Sequence, residues 1–254
     1  MKNVDSTKTI AERLAALRWT LWWHPQRRQI LRELRTLMAS VDEARLDSLR
    51  RSYAERMRRA SAESRYKYLD VAFFTLQKLL LARQLGLHRG PARRVLDIGT
   101  GGGHFPWVCR FYGHQSVAID VKNTFYDSLA ACFDVQRIVV PVEAQTPLPD
   151  LGGRFDLITA CGIVFNEKSR SEGRRVYWSI EEWRFFLNDL VAHQLGPSGT
   201  IFLKLNKEER SLLPGLQRHS YSREALTLAT RNGAQVRPRL GTIRLTFTTP
   251  RDIR

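Results

Sequence analysis

Four residues spaced two apart, Asp97, Gly99, Gly101 and Gly103, carry the most specific chemistry in this 254-residue chain. They end a strand-compatible run at 94–98 and precede a helix-compatible segment beginning near His104. Strand, glycine turn and helix open a nucleotide-binding βαβ unit. Glycines let the chain turn sharply and let a ligand approach the main chain without meeting a Cβ. A dinucleotide fingerprint needs Gly or Ala at the sixth position of Gly-x-Gly-x-x-Gly. Counted from Gly99 that position is His104, and counted from Gly101 it is Pro106. No Gly-Lys-Ser/Thr follows, so a P-loop is excluded as well. A carboxylate just ahead of the glycines repels a pyrophosphate. It suits a ligand with an ammonium group and a sulfonium.

A second acid, Asp120, ends a strand-like run at 116–120 (Ser-Val-Ala-Ile-Asp), 17 residues past Gly103. A carboxylate there can accept hydrogen bonds from both hydroxyls of a ribose. Ligands of open α/β sheets bind at the carboxyl ends of strands. That rule adds Glu143 and Ala144 after the third strand, and 161–167 (Cys-Gly-Ile-Val-Phe-Asn-Glu) after the fourth. Asn166, and Asn206 after the fifth strand, are polar and neutral, suited to holding hydroxyl groups. His104, beside the glycine turn, is the candidate base. Cys109, Cys132 and Cys161 are odd in number and show no Cys-x-x-Cys spacing, so neither structural zinc nor a disulfide framework is expected.

The Asp-x-Gly-x-Gly-x-Gly run, with the acid that ends the next strand, resembles the class I S-adenosylmethionine-dependent methyltransferases. The stretches 155–160 (Phe-Asp-Leu-Ile-Thr-Ala) with Phe165-Asn166, and 202–206 (Phe-Leu-Lys-Leu-Asn), are similar to bacterial members with undefined, small-molecule or saccharide acceptors. The resemblance covers roughly residues 66–247. It implies S-adenosylmethionine as cofactor and S-adenosylhomocysteine as product, held by Asp97, Gly99, Thr100, Gly101, Gly103, Asp120, Val121, Glu143, Ala144 and Cys161. It implies acceptor contacts at Tyr68, Phe165, Asn166 and Asn206. Nucleobase-amine methyltransferases of this class carry Asn/Asp-Pro-Pro-aromatic after the fourth strand, where this chain has Cys161-Gly162-Ile163-Val164. Cys161 also lacks the neighbouring proline of the cytosine-C5 enzymes, and no aspartate stands where the ribose 2′-hydroxyl enzymes place theirs. Methyl transfer from a sulfonium asks mainly for alignment and desolvation, with a base only if the nucleophile must lose a proton.

These residues need a parallel sheet to position them. From Arg94 onward, strands and helices alternate. Strands are expected at 94–98, 116–120, 137–142, 155–160, 200–205, 234–237 and 242–248. Helices are expected from about 104, at 124–133, at 180–195 and at 222–232. Ser179 and Glu182 form a capping-box pair at the start of the third of these. The fold class is α/β, Rossmann-like, with a seven-stranded mostly parallel sheet and an antiparallel closing strand. Ahead of it, residues 1–64 read as a basic helical extension with apolar residues at helical spacing (Leu14, Leu17, Leu21; Ile30, Leu34, Leu37; Leu46, Leu49, Tyr53). Residues 65–254 then form the catalytic domain, opened by one long helix over 65–87.

The formal net charge is +16, and residues 1–90 hold nineteen Lys and Arg against nine Asp and Glu. Such an excess favours anionic partners. Two alternatives follow. The Arg50, Arg51, Arg56, Arg58 and Arg59 face could track RNA, making the chain an RNA methyltransferase. Trp19, Trp22 and Trp23 beside Arg27 and Arg28 could instead sit on an anionic membrane, as a non-catalytic or peripheral protein. Packing of these tryptophans onto the catalytic domain is the expectation. No signal core or apolar run of about 18 residues occurs, and a cytoplasmic, reducing location is expected.

Overall fold

The computed structural model describes residues 10–59, 65–171, 174–213, 216–239 and 242–254. The chain divides into two compact units. The first comprises 1–92, 101–115 and 123–137, and the second comprises 93–100, 116–122 and 138–254. The boundary expected at residue 64 therefore falls inside the first unit.

The first unit is helical: α1 (Ile10–Thr20), α2 (Arg27–Ala39), α3 (Glu43–Arg59), α4 (Val71–Gln84), α5 (His104–Phe111) and α6 (Thr124–Ala131). The apolar spacing read from the sequence is the buried stripe of α2: Ile30, Leu31, Leu34, Leu37 and Met38. The long helix expected over 65–87 is broken. Arg65–Leu69 is a 3₁₀ helix, and Asp70 then caps α4 by accepting from the Phe73 amide (3.4 Å). Arg13 of α1 pairs with that buried carboxylate. A second network joins three helices. Arg83 donates to Glu33 (2.6 Å) and Gln26 (2.7 Å), and the Tyr112 hydroxyl donates to Glu33 (2.7 Å). Burial and then the Glu33 carboxylate push the Tyr112 hydroxyl well above its ordinary pKa. Cys109 and Cys132 are buried, and burial raises the Cys132 thiol to about 11.

The second unit holds the sheet. Its strands are β1 (Arg94–Ile98), β2 (Gln115–Asp120), β3 (Arg137–Val139), β4 (Phe155–Ile163), β7 (Leu195–Asn206), β10 (Gln235–Arg239) and β11 (Thr242–Thr248), in the order β10-β11-β7-β4-β1-β2-β3. Strands β1 and β7 run parallel to β4, and β11 runs antiparallel to both its neighbours. This is the expected seven-stranded, mostly parallel sheet with one antiparallel strand. Helices α7 (Ile180–Asp189) and α8 (Arg223–Arg231) belong to this unit. Ser179 and Glu182 make the expected capping box.

Several elements differ from expectation, β4 running on to Ile163 and β7 starting at Leu195 among them. Strand β3 stops at Val139 because Pro141 has no N–H for a ladder. Helix α7 ends at Asp189 in a π-helical turn, Leu190–Gln194; Arg154 donates to the Ala192 carbonyl of that turn (2.6 Å) and to that of Leu195 just after it (2.7 Å). Two hairpins follow the carboxyl ends of β4 and β7: β5 (Glu167–Ser171) with β6 (Arg174–Tyr177), and β8 (Glu208–Leu213) with β9 (Leu216–Ser220). Neither shows the apolar alternation that marks a strand in sequence. They are braced together: the buried Asn166 side chain donates to the buried Glu208 carboxylate (2.8 Å), and β6 packs on β8.

Candidate active site

The edge of the sheet where β1, β2 and β4 end gathers those residues of the second unit that were expected to hold a cofactor. Asp97 stands directly opposite Thr159 of β4. The Thr159 hydroxyl donates to Asp97 Oδ1 (2.7 Å), and both side chains are buried. The carboxylate is thus held on one face of the sheet with a fixed orientation. After Ile98 the chain turns, and the Gly99 and Thr100 amides both donate to the Ile119 carbonyl of β2 (2.9 and 3.2 Å). That pins the turn against the strand that ends in Asp120. The Asp120 carboxylate accepts from the Val121 amide (2.8 Å), and its carbonyl accepts from Val140 (3.0 Å). Val121 is apolar yet 52% exposed. Glu143 is exposed and Ala144 half-buried on the segment after β3. Cys161 is half-buried near the end of β4.

Gly99, Gly101 and Gly103 have φ of +69°, +59° and +80°, the left-handed region where a Cβ is costly. The sequence pattern found these three. It missed Gly102, whose φ is ordinary. A Cβ there would lie 2.5 Å from Leu129 Cδ2, so packing rather than turn geometry requires the glycine. The signal was available in the unbroken Gly-Gly-Gly run. A Cβ on Gly101 would meet nothing within 4 Å. The buried Thr100 hydroxyl has no hydrogen-bond partner among the described residues. In the second unit, an orphaned hydroxyl and two strand-end carboxylates fit a cofactor bearing an ammonium group and a ribose.

Three residues expected at the site have partners within the protein. His104 opens α5 but is only 2% exposed, inside rings of Tyr68, Phe74 and Phe133 (centroids 6.1, 6.1 and 4.9 Å away). Burial, and next the Lys78 charge, lower its pKa to about 3, against a hydrogen bond with the Tyr68 backbone. Its Nε2 has no partner among the described residues. A base that weak does not deprotonate an acceptor near neutral pH. Phe165, expected to touch the acceptor, stacks with Trp178, Trp183 and Phe186 (5.0–6.0 Å). Asn166 is committed to Glu208, and its carbonyl accepts from Trp178 (2.9 Å). Both residues brace the hairpins. Their neighbours in space, not their neighbours in sequence, decide that role.

The other two residues expected to touch an acceptor are half-buried, one in each unit. Asn206 is half-buried at the end of β7, in register with Thr242. Tyr68 is half-buried in the first unit against Phe74 and Tyr126. Among the described residues no group of three His, Cys, Asp or Glu could hold a metal ion. No helix among them is long and apolar enough to cross a membrane.

The expected packing of the tryptophans is overturned for two of them. Trp22 and Trp23, between α1 and α2, are 50% and 91% exposed. Arg27 lies over the Trp22 ring at 4.9 Å. The side chains of Trp19, Arg58 and Arg59 lie outside the described residues. On α3, Arg50 donates to Asp47 and to the Leu69 carbonyl (both 3.2 Å), and Arg56 lies over the Tyr53 ring at 5.4 Å. Part of the arginine face is therefore used inside the protein.

No protein-family model and no curated protein matches the chain. Among solved structures it is similar to a DhpI–SAH complex, at 16% identity and TM-score 0.46 over 84% of this chain and 98% of that one. It is similar to the glycopeptide N-methyltransferase MtfA bound to sinefungin, at 14% identity and TM-score 0.44 over 68% and 94%. It is also similar to the 1,6-didemethyltoxoflavin-N1-methyltransferase of Burkholderia thailandensis, at 18% identity and TM-score 0.44 over 68% and 76%.

Proposed function

We propose that this chain is an S-adenosylmethionine-dependent methyltransferase that acts on a small polar or saccharide acceptor. One observation carries the reading. A buried carboxylate, Asp97, is fixed by Thr159 at the entrance to a left-handed glycine turn, and that turn is tied to the strand ending in a second carboxylate, Asp120. Asp97 suits the cofactor's ammonium group, and Asp120 suits its ribose hydroxyls. Val121 offers an apolar flank for the adenine, and Glu143 and Ala144 its edge. Gly99, Thr100, Gly101 and Gly103 bring main chain close to the ligand. The cofactor supplies an already activated methyl group. The protein's own part is to align the acceptor and exclude water. Cys161 lies near the end of β4, where the acceptor would meet the methyl, and Asn206 would hold the acceptor. With His104 neutral and buried, the reading favours an acceptor atom that is already nucleophilic, or one deprotonated by another group.

Isothermal titration with S-adenosylmethionine tests this. Wild type should bind, Asp120→Ala should lose at least tenfold in affinity, and Asp97→Asn should lose as much. Absence of binding by the wild type would remove the reading.

A second reading concerns location. Exposed Trp23 and Trp22 adjoin an arginine stripe on α2, where Arg28, Arg32 and Arg35 are all exposed. Indole rings beside arginines suit the interface of an anionic membrane. Arg50 and Arg56 are partly engaged within the protein, so RNA along α3 is less favoured. Flotation with phosphatidylserine vesicles, compared with neutral vesicles and with RNA retention, separates the two. Trp22→Ala/Trp23→Ala should abolish flotation without changing cofactor affinity.

A further inference from the structure

A phenyl ring would suit the place of His104 better than an imidazole. The residue opens α5 directly after the glycine turn, and its ring is shut in a box of Tyr68, Phe74 and Phe133, with Trp107 stacked on Phe133 at 4.4 Å. A phenyl ring would fill that box with no polar atom left over. The imidazole leaves Nε2 buried and without a partner among the described residues, which costs stability. What it gains is one bond, to the Tyr68 backbone. That bond favours the protonated ring, so the ring nitrogen donates and the Tyr68 carbonyl accepts. With Nε2 unpartnered, the donor is Nδ1.

The bond joins two stretches that do little to fix themselves. Tyr68 lies in the single 3₁₀ turn Arg65–Leu69, an element used only in short pieces with poor hydrogen-bond geometry. Gly101, Gly102 and Gly103 have no side chains, and glycine loses more backbone freedom on ordering than any other residue. Gly103 stands at the N-cap of α5 in left-handed conformation and gives it no side-chain cap. The turn is therefore shaped by its neighbours. A Cβ on Gly102 would lie 2.5 Å from Leu129, and one on Gly103 would lie 3.1 Å from Val135. The imidazole is the third neighbour, its Cε1 3.4 Å from that same Gly102 Cβ. All of these residues belong to the first unit. His104 is the first residue after the glycines to carry a side chain, and that side chain is tied to a distant part of the chain.

We propose that His104 is a positioning residue for the cofactor: its bond to the Tyr68 carbonyl holds Gly101–Gly103 in the shape that receives the ligand. The identity of that ligand rests on the methyltransferase reading, whereas the bracing of the turn stands on its own geometry. A turn ordered in advance spares the ligand the cost of ordering it. The bond thus acts on affinity without touching the cofactor. It also links the 65–69 turn to the glycine turn, so a ligand that steadies one steadies the other.

Amide hydrogen exchange and titration with S-adenosylmethionine, both on the full chain at pH 7, test this. His104→Phe fills the box and loses the bond. It should melt no lower than wild type, yet exchange the amides of 101–105 and 66–69 at least tenfold faster and bind S-adenosylmethionine at least tenfold more weakly. In His104→Asn the side-chain amide stands where Nδ1 stands, so the bond survives while the box is underfilled. That variant should melt lower than wild type and keep its affinity within threefold. A merely structural residue would move affinity and melting temperature together, and this pair of variants moves them apart. If His104→Phe does not fold, His104→Gln, whose amide reaches the Nε2 position instead, carries the same expectation of weaker binding. Wild-type exchange and affinity in His104→Phe, or affinity in His104→Asn as weak as in His104→Phe, overturns the proposal. In wild type, S-adenosylmethionine should slow exchange at 66–69, and unchanged exchange there overturns the link between the two turns. Failure of wild type to bind S-adenosylmethionine, with fast exchange at 101–105 in His104→Phe, would instead remove the methyltransferase reading and leave the bracing standing.

Discussion

Gly101 and Gly102 are chemically identical neighbours with opposite reasons to be glycine. Gly101 has positive φ and empty space above it, whereas Gly102 has a core leucine where its Cβ would be. Gly102→Ala should therefore cost about 1–3 kcal/mol in unfolding free energy by overpacking Leu129. Gly101→Ala should cost about 1 kcal/mol through backbone strain but lose cofactor affinity disproportionately. Denaturant melts and titration calorimetry on the two variants would separate the effects. His104 gives a pH prediction. Its folded pKa of about 3 lies below the unfolded value of 6.5, so the unfolded chain binds the proton more readily. Its burial therefore costs nothing above pH 6.5, and stability falls as pH drops from 6.5 toward 3. At pH 5 the loss is on the order of 2 kcal/mol, and His104→Phe should flatten that part of the stability curve. The glycine turn was legible in sequence because left-handed backbone demands glycine at fixed spacing. Asn166, Phe165 and His104 were not, because polarity and position along the chain say nothing about Glu208, Trp178 or the rings around the imidazole.

Helices were more legible than hairpins, and the reason is periodicity. Ser179 and Glu182, three residues apart before Trp183, announced a capping box, and both of its hydrogen bonds form. Ser179→Ala should cost about 1 kcal/mol, measurable by urea denaturation. Burial by itself would raise the Glu182 pKa, but hydrogen bonds from Lys168 (2.9 Å) and the Ser179 amide (2.7 Å) hold it below the usual 4.5. The resulting stability is present above pH 4.5 and is lost as pH falls through the depressed value. Lys168→Met should weaken that acid dependence. Since Lys168 lies on β5, the same variant loosens the first hairpin. The hairpins themselves escaped notice because Glu-Lys-Ser-Arg-Ser and its partner strand lack alternating apolar residues. They are held by Asn166, Glu208 and the tryptophan cluster instead.

At the scale of the molecule, the sequence divided the chain by composition, at the end of the basic stretch, whereas contacts divide it elsewhere. Helices α1, α2 and α4 pack on one another, and α4 packs on α5. Glu33, Arg83 and Tyr112 join α2 to α4 and to the end of α5. Removing residues 1–64 would uncover the parts of α4 that α1 and α2 pack on, and would strip Tyr112 and Arg83 of Glu33. The shortened protein is expected to be insoluble or to melt without a cooperative transition, by differential scanning calorimetry. A soluble, cooperatively folding 65–254 fragment would show the helices to be a detachable module. The charge excess bears on partners and not on this architecture.

The first unit is assembled from three separate lengths of chain, the last ending at Arg137. During synthesis α4 emerges before α5, so the face of α4 that packs on α5 has no partner until that helix is made. At about 5–20 residues per second, the roughly 45 residues after Ala92 take several seconds to appear. For that interval the nascent chain presents a basic helical segment with one uncovered apolar face on α4, attractive to chaperones. Slowing elongation within 93–137 should therefore lower the yield of native protein more than the same delay placed after Arg137.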